Sequence, residues 1–147
     1  MMRFLEELAA RRRFGMKPGL DTIAALCAAL GNPERQFKAI HIAGTNGKGA
    51  VASMLDACLQ QVKVKGEGEE RSRNLRIGRY TSPHLVKINE RFFLDGAPVD
   101  DATLDRLAEE VSKLAFLCSP SPLTSSPLSP TFFEALTAVA FLLYAEA

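Results

Sequence analysis

The sequence predicts an α/β protein organised as a doubly wound parallel sheet, and three observations predict it. An apolar β-like run, Phe37 to Ala43, leads through the glycine-rich stretch Gly44-Thr45-Asn46-Gly47-Lys48-Gly49 straight into a helical pattern. A second β-like run, Leu75 to Tyr80, follows that helix. A strand, helix, strand order implies parallel pairing through a right-handed crossover. Finally, Thr81-Ser82-Pro83-His84-Leu85 stands at the carboxyl end of the second run, which is where open parallel sheets bind ligands.

The bulk properties are those of one domain with a real core. The chain has 147 residues, 47% apolar and 24% charged, an ordinary globular balance. A net charge of +1 offers no argument for nucleic acid or an acidic membrane as partner. Cys27, Cys58 and Cys118 are far apart. They match neither metal-ligand spacing nor a disulfide framework, so they are expected to be small core residues in a reducing compartment. Met2 to Leu8 carries acids where a signal peptide needs an apolar core. The longest apolar run, Ala135 to Ala145, is too short to span a bilayer. The expectation is a cytoplasmic protein.

Each element has its own local reason. Residues Met2 to Arg13 pattern as an amphipathic helix with Phe4, Leu5 and Leu8 on one face, and Phe14-Gly15 closes it. Arg11 to Arg13 suits either a phosphate contact or a solvated helix end, where cations complement the dipole. Lys17-Pro18-Gly19-Leu20 is a turn, and Asp21 is read as the N-cap of a helix over 22–30 stopped by Gly31-Asn32-Pro33. Residues 1–35 thus form a helical segment ahead of the sheet.

The central loop has the parts of a phosphate cradle. Glycines let backbone N–H groups turn toward an anion, a helix N-terminus adds partial positive charge, and Lys48 adds a full one. The spacing departs from the generic G-x-x-x-x-G-K-[ST] pattern, because Ile42 stands at the first glycine and Gly49 follows the lysine. A tight strand-to-helix turn is the structural alternative. The helix after it carries Val51, Met54, Leu55, Cys58, Leu59 and Val62 on one face, expected to be buried. Residues 63–74 are strongly polar and read as an exposed loop. For Thr81 to Leu85 the alternatives are a ligand site and a plain Ser-Pro turn.

Asn89 to Leu94 reads as a short extended piece, with Arg91-Phe92-Phe93-Leu94 ending at the turn Asp95-Gly96. Asp100 or Asp101 caps a helix with Leu104, Leu107, Val111 and Leu114 on its apolar face. The prolines of 119–130 rule out a helix and make an irregular loop. Thr131 and Glu134 match the capping box of a last helix, and Glu134 is also a candidate carboxylate for a nucleotide-bound metal, since Mg²⁺ prefers oxygen ligands.

Three stretches together, His41-Ile-Ala-Gly-Thr-Asn-Gly-Lys-Gly49, Tyr80-Thr-Ser-Pro-His-Leu-Val-Lys-Ile-Asn-Glu-Arg91 and Thr131-Phe-Phe-Glu-Ala-Leu-Thr-Ala138, resemble the folylpolyglutamate synthases and dihydrofolate synthases of the Mur ligase superfamily. The resemblance covers nearly the whole chain but only the N-terminal part of that family's ATPase domain. It implies a P-loop-containing Mur ligase-type sheet and an ATP-dependent ligase that phosphorylates a folate or dihydropteroate carboxylate and couples it to L-glutamate. By motif, Gly44, Thr45, Asn46, Gly47, Lys48 and Gly49 would hold ATP phosphates, with Lys48 the catalytic cation. Ser82 and Glu134 would be Mg²⁺ ligands, and with the family in hand that role overtakes the cap for Glu134. Pro18, Gly19, Leu20, Pro83 and His84 would lie near the folate. A monomer is implied, with no nucleic acid or membrane partner.

This sequence departs from the family in three respects. Ala50 replaces a hydroxyl residue, removing one phosphate hydrogen bond of about 1–1.5 kcal/mol. Residues 63–74 look like an insertion. The family's third metal ligand (a histidine), later strands, modified-lysine region and C-terminal glutamate-binding domain have no counterpart here, so the expectation is an inactive fragment. The alternatives are a non-catalytic or degenerate nucleotide-binding module, and another Mur-type amide ligase.

Overall fold

The structure is a computed structural model that describes residues 19–65, 72–117 and 130–147. The expected helix over 2–13, Pro18, Cys118 and nearly all of the 119–130 loop lie outside the described residues. The chain divides into two compact units, residues 1–38 with 101–147, and residues 39–100.

The first unit is helical. Helix α1 spans Asp21–Ala29, and a 3₁₀ turn at Pro33–Arg35 follows it. Helix α3 spans Asp101–Leu117 and helix α4 spans Phe132–Glu146. The heptad-like spacing of Leu104, Leu107 and Val111 does what it predicts: all three are fully buried, together with Ala135, Leu136 and Val139 of α4 and with Leu26 and Cys27 of α1. Helix α4 is apolar around most of its circumference because it packs against both α1 and α3. Phe37 closes one end, its ring 6.2 Å from Phe141 and edge-on to Tyr144 at 6.0 Å. Arg106 of α3 pairs with Glu146 of α4 at the surface.

One cap differs from expectation. The N-cap of α1 is Leu20, with no side-chain hydrogen bond, and Asp21 is the first helical residue. There its charge still complements the helix dipole.

The second unit holds helix α2, Lys48–Leu59, and, among the described residues, five short strands. Strands β1, Lys63–Lys65, and β2, Ser72–Asn74, pair antiparallel in the register Lys63↔Asn74, Val64↔Arg73, Lys65↔Ser72. This corrects the expected loop over 63–74: its flanks form a hairpin ladder, which needs only backbone groups and tolerates polar side chains.

Strands β3, Gly78–Tyr80, β4, Phe92–Leu94, and β5, Ala97–Pro98, form an antiparallel sheet in that order. Asp95 and Gly96 both take positive φ, 51° and 81°, the geometry a two-residue hairpin turn requires.

The α/β class therefore holds, but the pairing differs from the parallel unit expected. The run from Phe37 to Ala43 forms no strand among the described residues, and β3 is shorter than 75–80 and takes its partner from β4. The two-residue turn at Asp95-Gly96 makes β4 and β5 neighbours, and the return through 81–91 brings β4 back along β3. Local closure therefore satisfies the backbone of Gly78–Tyr80 antiparallel.

Helix α2 also departs from its pattern. Val51 and Met54 are exposed, Met54 by 67%, as are Cys58 and Val62, while the buried residue of the helix is Asp56. The expectation that Cys58 is a core residue is thus corrected, whereas Cys27 is one. Asp56 is buried because it has a partner. Its Oδ2 accepts from Arg79 Nε of β3 at 2.9 Å and its Oδ1 from Gln60 Nε2 at 3.0 Å. The Arg79 guanidinium lies over the Phe93 ring at 3.9 Å. This ion pair, rather than an apolar stripe, holds α2 on the sheet.

Candidate functional site

The glycine-lysine loop opens helix α2. Gly44 has φ +154° and Gly47, the N-cap, has φ +77°, regions that side-chain-bearing residues rarely adopt. No side chain caps the helix. The first hydrogen bond of the helix runs from Val51 N to Gly47 O at 2.9 Å, so the amides of Lys48, Gly49 and Ala50 are the unpaired donors of an N-terminus. A Cβ built on Gly47 or Gly49 would meet nothing within 4 Å: the space beside these amides is open to a ligand. Lys48 Nζ donates to the carbonyls of Gly44 at 2.5 Å and Thr45 at 3.2 Å. The loop thereby holds its own cation at its mouth. Open amides, a helix dipole and an ammonium in an exposed setting are the features that a phosphate-binding loop requires.

The second loop leaves the carboxyl end of β3. Arg79, three residues before Ser82, anchors α2, so the strand that leads into this loop is tied to the helix that carries Lys48. Ser82 and Pro83 are exposed, and the peptide bond between them is cis. His84 is half-buried and accepts at Nδ1 from Arg91 Nε at 2.7 Å.

Glu90 staples the same loop. Its Oε2 accepts from Leu85 N at 2.7 Å, and its Oε1 accepts from Val86 N at 3.0 Å and Lys87 N at 2.7 Å. Hydrogen bonds from the backbone of Lys87 and Leu85 hold its carboxyl below the usual range, with Val86 N and the charge of His84 adding to them. Leu85 and Val86 project outward, Leu85 by 91%. Glu90 and Arg91 were not singled out from the sequence. The available signal was two opposite charges immediately after a Ser-Pro-His loop and before an apolar strand.

The remaining candidates lie in the helical unit. Glu134 forms the capping box: its Oε2 accepts from Thr131 N at 2.7 Å, and its own N–H donates to Thr131 Oγ1 at 3.2 Å. Gly19 and Leu20 are exposed at the start of α1. No group of three or more His, Cys, Asp or Glu side chains that could hold a metal occurs among the described residues. The sequence-predicted residues thus fall into two sets, the 44–49 loop with 82–84 in one unit, and 19–20 with Glu134 in the other.

Burial, reinforced by Glu34 nearby, pushes the Cys27 thiol up to about 11, so this cysteine is an inert core residue. No helix among the described residues is long and apolar enough to cross a membrane.

Known proteins bear on this geometry. No family model matches the chain. It is 34% identical over 136 residues to the dihydrofolate synthase/folylpolyglutamate synthase of Bacillus subtilis, covering 92% of this chain and 28% of that protein. Its fold is similar to the crystal structure of Thermotoga maritima folylpolyglutamate synthase, with TM-score 0.75 and 35% identity over 99% of this chain and 31% of that one. It is likewise similar to Mycobacterium tuberculosis folylpolyglutamate synthase solved in complex with ADP and AMPPCP, with TM-score 0.74 and 34% identity over 97% of this chain and 29% of that one. The chain spans under a third of the length of these relatives.

Proposed function

We propose, for a chain related in sequence and fold to the folylpolyglutamate and dihydrofolate synthases, that it forms the ATP-phosphate-binding part of a ligase that joins L-glutamate to a folate or dihydropteroate carboxylate. The observation that carries the reading is the open N-terminus of α2, where unpaired amides and Lys48 converge. The reported complexes of a similar protein with ADP and AMPPCP support a nucleotide as the ligand. In this reading Gly44, Thr45, Asn46, Gly47 and Gly49 wrap the phosphates. Lys48 exchanges its loop carbonyls for the γ-phosphoryl oxygens, where negative charge must be stabilised during transfer.

The reaction is a pair of displacements. The substrate carboxylate attacks the γ-phosphorus, giving an acyl phosphate and ADP. The glutamate amine then attacks the acyl carbon, loses a proton and expels inorganic phosphate. The loop of Pro83 and His84, and the turn Pro18-Gly19-Leu20, would border the folate. The Ser82 hydroxyl and Glu134 carboxylate are hard oxygen donors whose chemistry fits Mg²⁺. When bound, the ion would neutralise phosphate charge, and Glu134 would leave or share its cap. The finer topology of the reading is a P-loop-type doubly wound sheet, and the setting is a cytoplasmic monomer.

Ala50, which removes a hydroxyl from the phosphate loop, favours a second reading: a nucleotide-binding module without turnover. Glutamate-dependent release of ADP by this chain would exclude that second reading. The main test is binding of ATP and AMPPCP by calorimetry, with and without Mg²⁺, to the parent chain, Lys48→Ala and Glu134→Ala. Lys48→Ala is expected to lose at least about tenfold in affinity, the worth of one charge-assisted hydrogen bond. Glu134→Ala is expected to lose only the Mg²⁺-dependent increment. Unchanged binding in Lys48→Ala rejects the phosphate cradle, and an unchanged Mg²⁺ increment in Glu134→Ala makes that residue a cap alone.

A further inference from the structure

Glu90 belongs to the short 3₁₀ helix Ile88–Arg91, whose N-cap is Lys87. Capping that helix explains one contact of its carboxylate: Lys87 N donates to Oε1 at 2.7 Å. It does not explain the other two. Leu85 N, 2.7 Å from Oε2, and Val86 N, 3.0 Å from Oε1, lie outside the helix, in the loop that carries Ser82, Pro83 and His84. One side chain therefore takes three consecutive amides. Each bond alone would compete with water at this exposed position, but the three together require only one side chain to be ordered. The backbone around Glu90 is anchored in turn. Glu90 N donates to Lys87 O at 3.1 Å, and Arg91 O accepts at 3.0 Å from Thr81 N, just past the end of β3. Packing contributes little at the tip of the loop, since Leu85 and Val86 are 91% and 83% exposed. The shape of the tip comes from the carboxylate.

We propose that Glu90 is a positioning residue that keeps the backbone of the 82–87 loop in its ligand-receiving shape before any ligand arrives. That the ligand is a folate rests on the ligase reading above, while the holding of the loop does not. A loop that is already ordered spares the ligand the entropy of ordering it, so the same contacts give a higher affinity than on a free loop. Glutamate suits the task because both oxygens of its carboxylate are acceptors, whereas a glutamine has one acceptor oxygen and an NH₂ donor. A carboxamide here can keep its oxygen on Val86 N and Lys87 N, but it then turns its NH₂ against Leu85 N.

Amide hydrogen exchange of the ¹⁵N-labelled 147-residue chain reads each amide separately, and calorimetry follows folate binding in the same variants. In the parent, the amides of Leu85, Val86 and Lys87 are expected to exchange at least about tenfold more slowly than in an unfolded chain. Glu90→Ala is expected to release all three. The amide of Val99, which donates to Phe92 O at 2.9 Å in the same unit, should keep its protection and so report an intact fold. Glu90→Gln is expected to release Leu85 and to leave Val86 and Lys87 slowed, a split that general destabilisation would not produce. Folate affinity is expected to fall by about tenfold in Glu90→Ala and by less in Glu90→Gln. Unfolded-chain exchange of the three amides in the parent overturns the proposal, even where Glu90→Ala fails to fold. So does unchanged exchange in a folded Glu90→Ala. Equal folate affinity in the parent and in a Glu90→Ala that has released the amides overturns the positioning role. A parent that holds the three amides but binds no folate rejects the folate reading, and its held amides support the part played by Glu90.

Discussion

Removing the Asp56 carboxylate while keeping its shape is the sharpest perturbation of this protein. In Asp56→Asn the charge that Arg79 Nε meets at 2.9 Å disappears, and the new amide sets a donor against either Arg79 or Gln60. The side chains of Asp56 and Arg79 are only 10% and 16% exposed, so water cannot fully take over either role. Charge-assisted hydrogen bonds contribute about 1.5–3 kcal/mol, and breaking a buried pair by deleting one partner costs about 3–5 kcal/mol. Because both groups keep some contact with water, the lower end applies, and the loss is about 3 kcal/mol. For a urea slope near 2 kcal/mol/M the unfolding midpoint followed by circular dichroism falls by about 1.5 M. A cycle with Arg79→Met and the double variant isolates the pair, and a coupling of about 2 kcal/mol is expected. A midpoint within about 0.3 M of the parent, together with coupling near zero, refutes the account: α2 would then be held by something other than this pair. Lys48 lies two helical turns from Asp56, about 12 Å along the axis, so the same variant should weaken nucleotide binding under the proposed function.

The remaining predictions concern which apolar and thiol groups are truly inside. Met54→Lys on the exposed face of α2 should change stability by less than about 0.5 kcal/mol, whereas Leu104→Ala in the helical core should cost about 2–5 kcal/mol; urea midpoints compare them, and equal costs would contradict the burial seen here. In a Cys118→Ser background, Cys58 should be alkylated by iodoacetamide in the folded chain, while Cys27 should react only on unfolding. The Cys27 thiol is raised in the folded state from an ordinary 9.0 to about 11. The unfolded chain therefore ionises first, so the contribution of this residue to stability is complete below pH 9 and is lost between pH 9 and about 11. A Cys27→Ala variant should lack that alkaline component in its stability profile, and a retained one would assign it to other groups.

Much of this arrangement was legible in the residues alone. The capping box of Thr131 and Glu134 is a local contract between positions three apart, so spacing suffices to read it. The Asp95-Gly96 turn, the apolar face of α3 and the turn from Gly44 into α2 are equally local. The helix period placed Val51 and Met54 inside, and here it failed. Periodicity reports which residues share a face, not whether anything covers that face, and in this structure the contact is made by Asp56 beside the stripe.

The sequence by itself determined the glycine-lysine turn into α2, because glycine dihedrals, a helix start and one lysine lie within six residues and need no distant partner. It also carried the likeness to the folate ligases, through motifs that are each contiguous. The tertiary structure alone decided how β3 pairs, since partners 12 to 16 residues apart in sequence, from Tyr80 with Phe92 to Gly78 with Leu94, depend on how the intervening chain returns. It likewise decided that Asp56 is buried, that Arg91 reaches His84, and that Glu90 gathers three amides. These are matches of charge and geometry between separate elements, and such matches come into being only when the chain has folded.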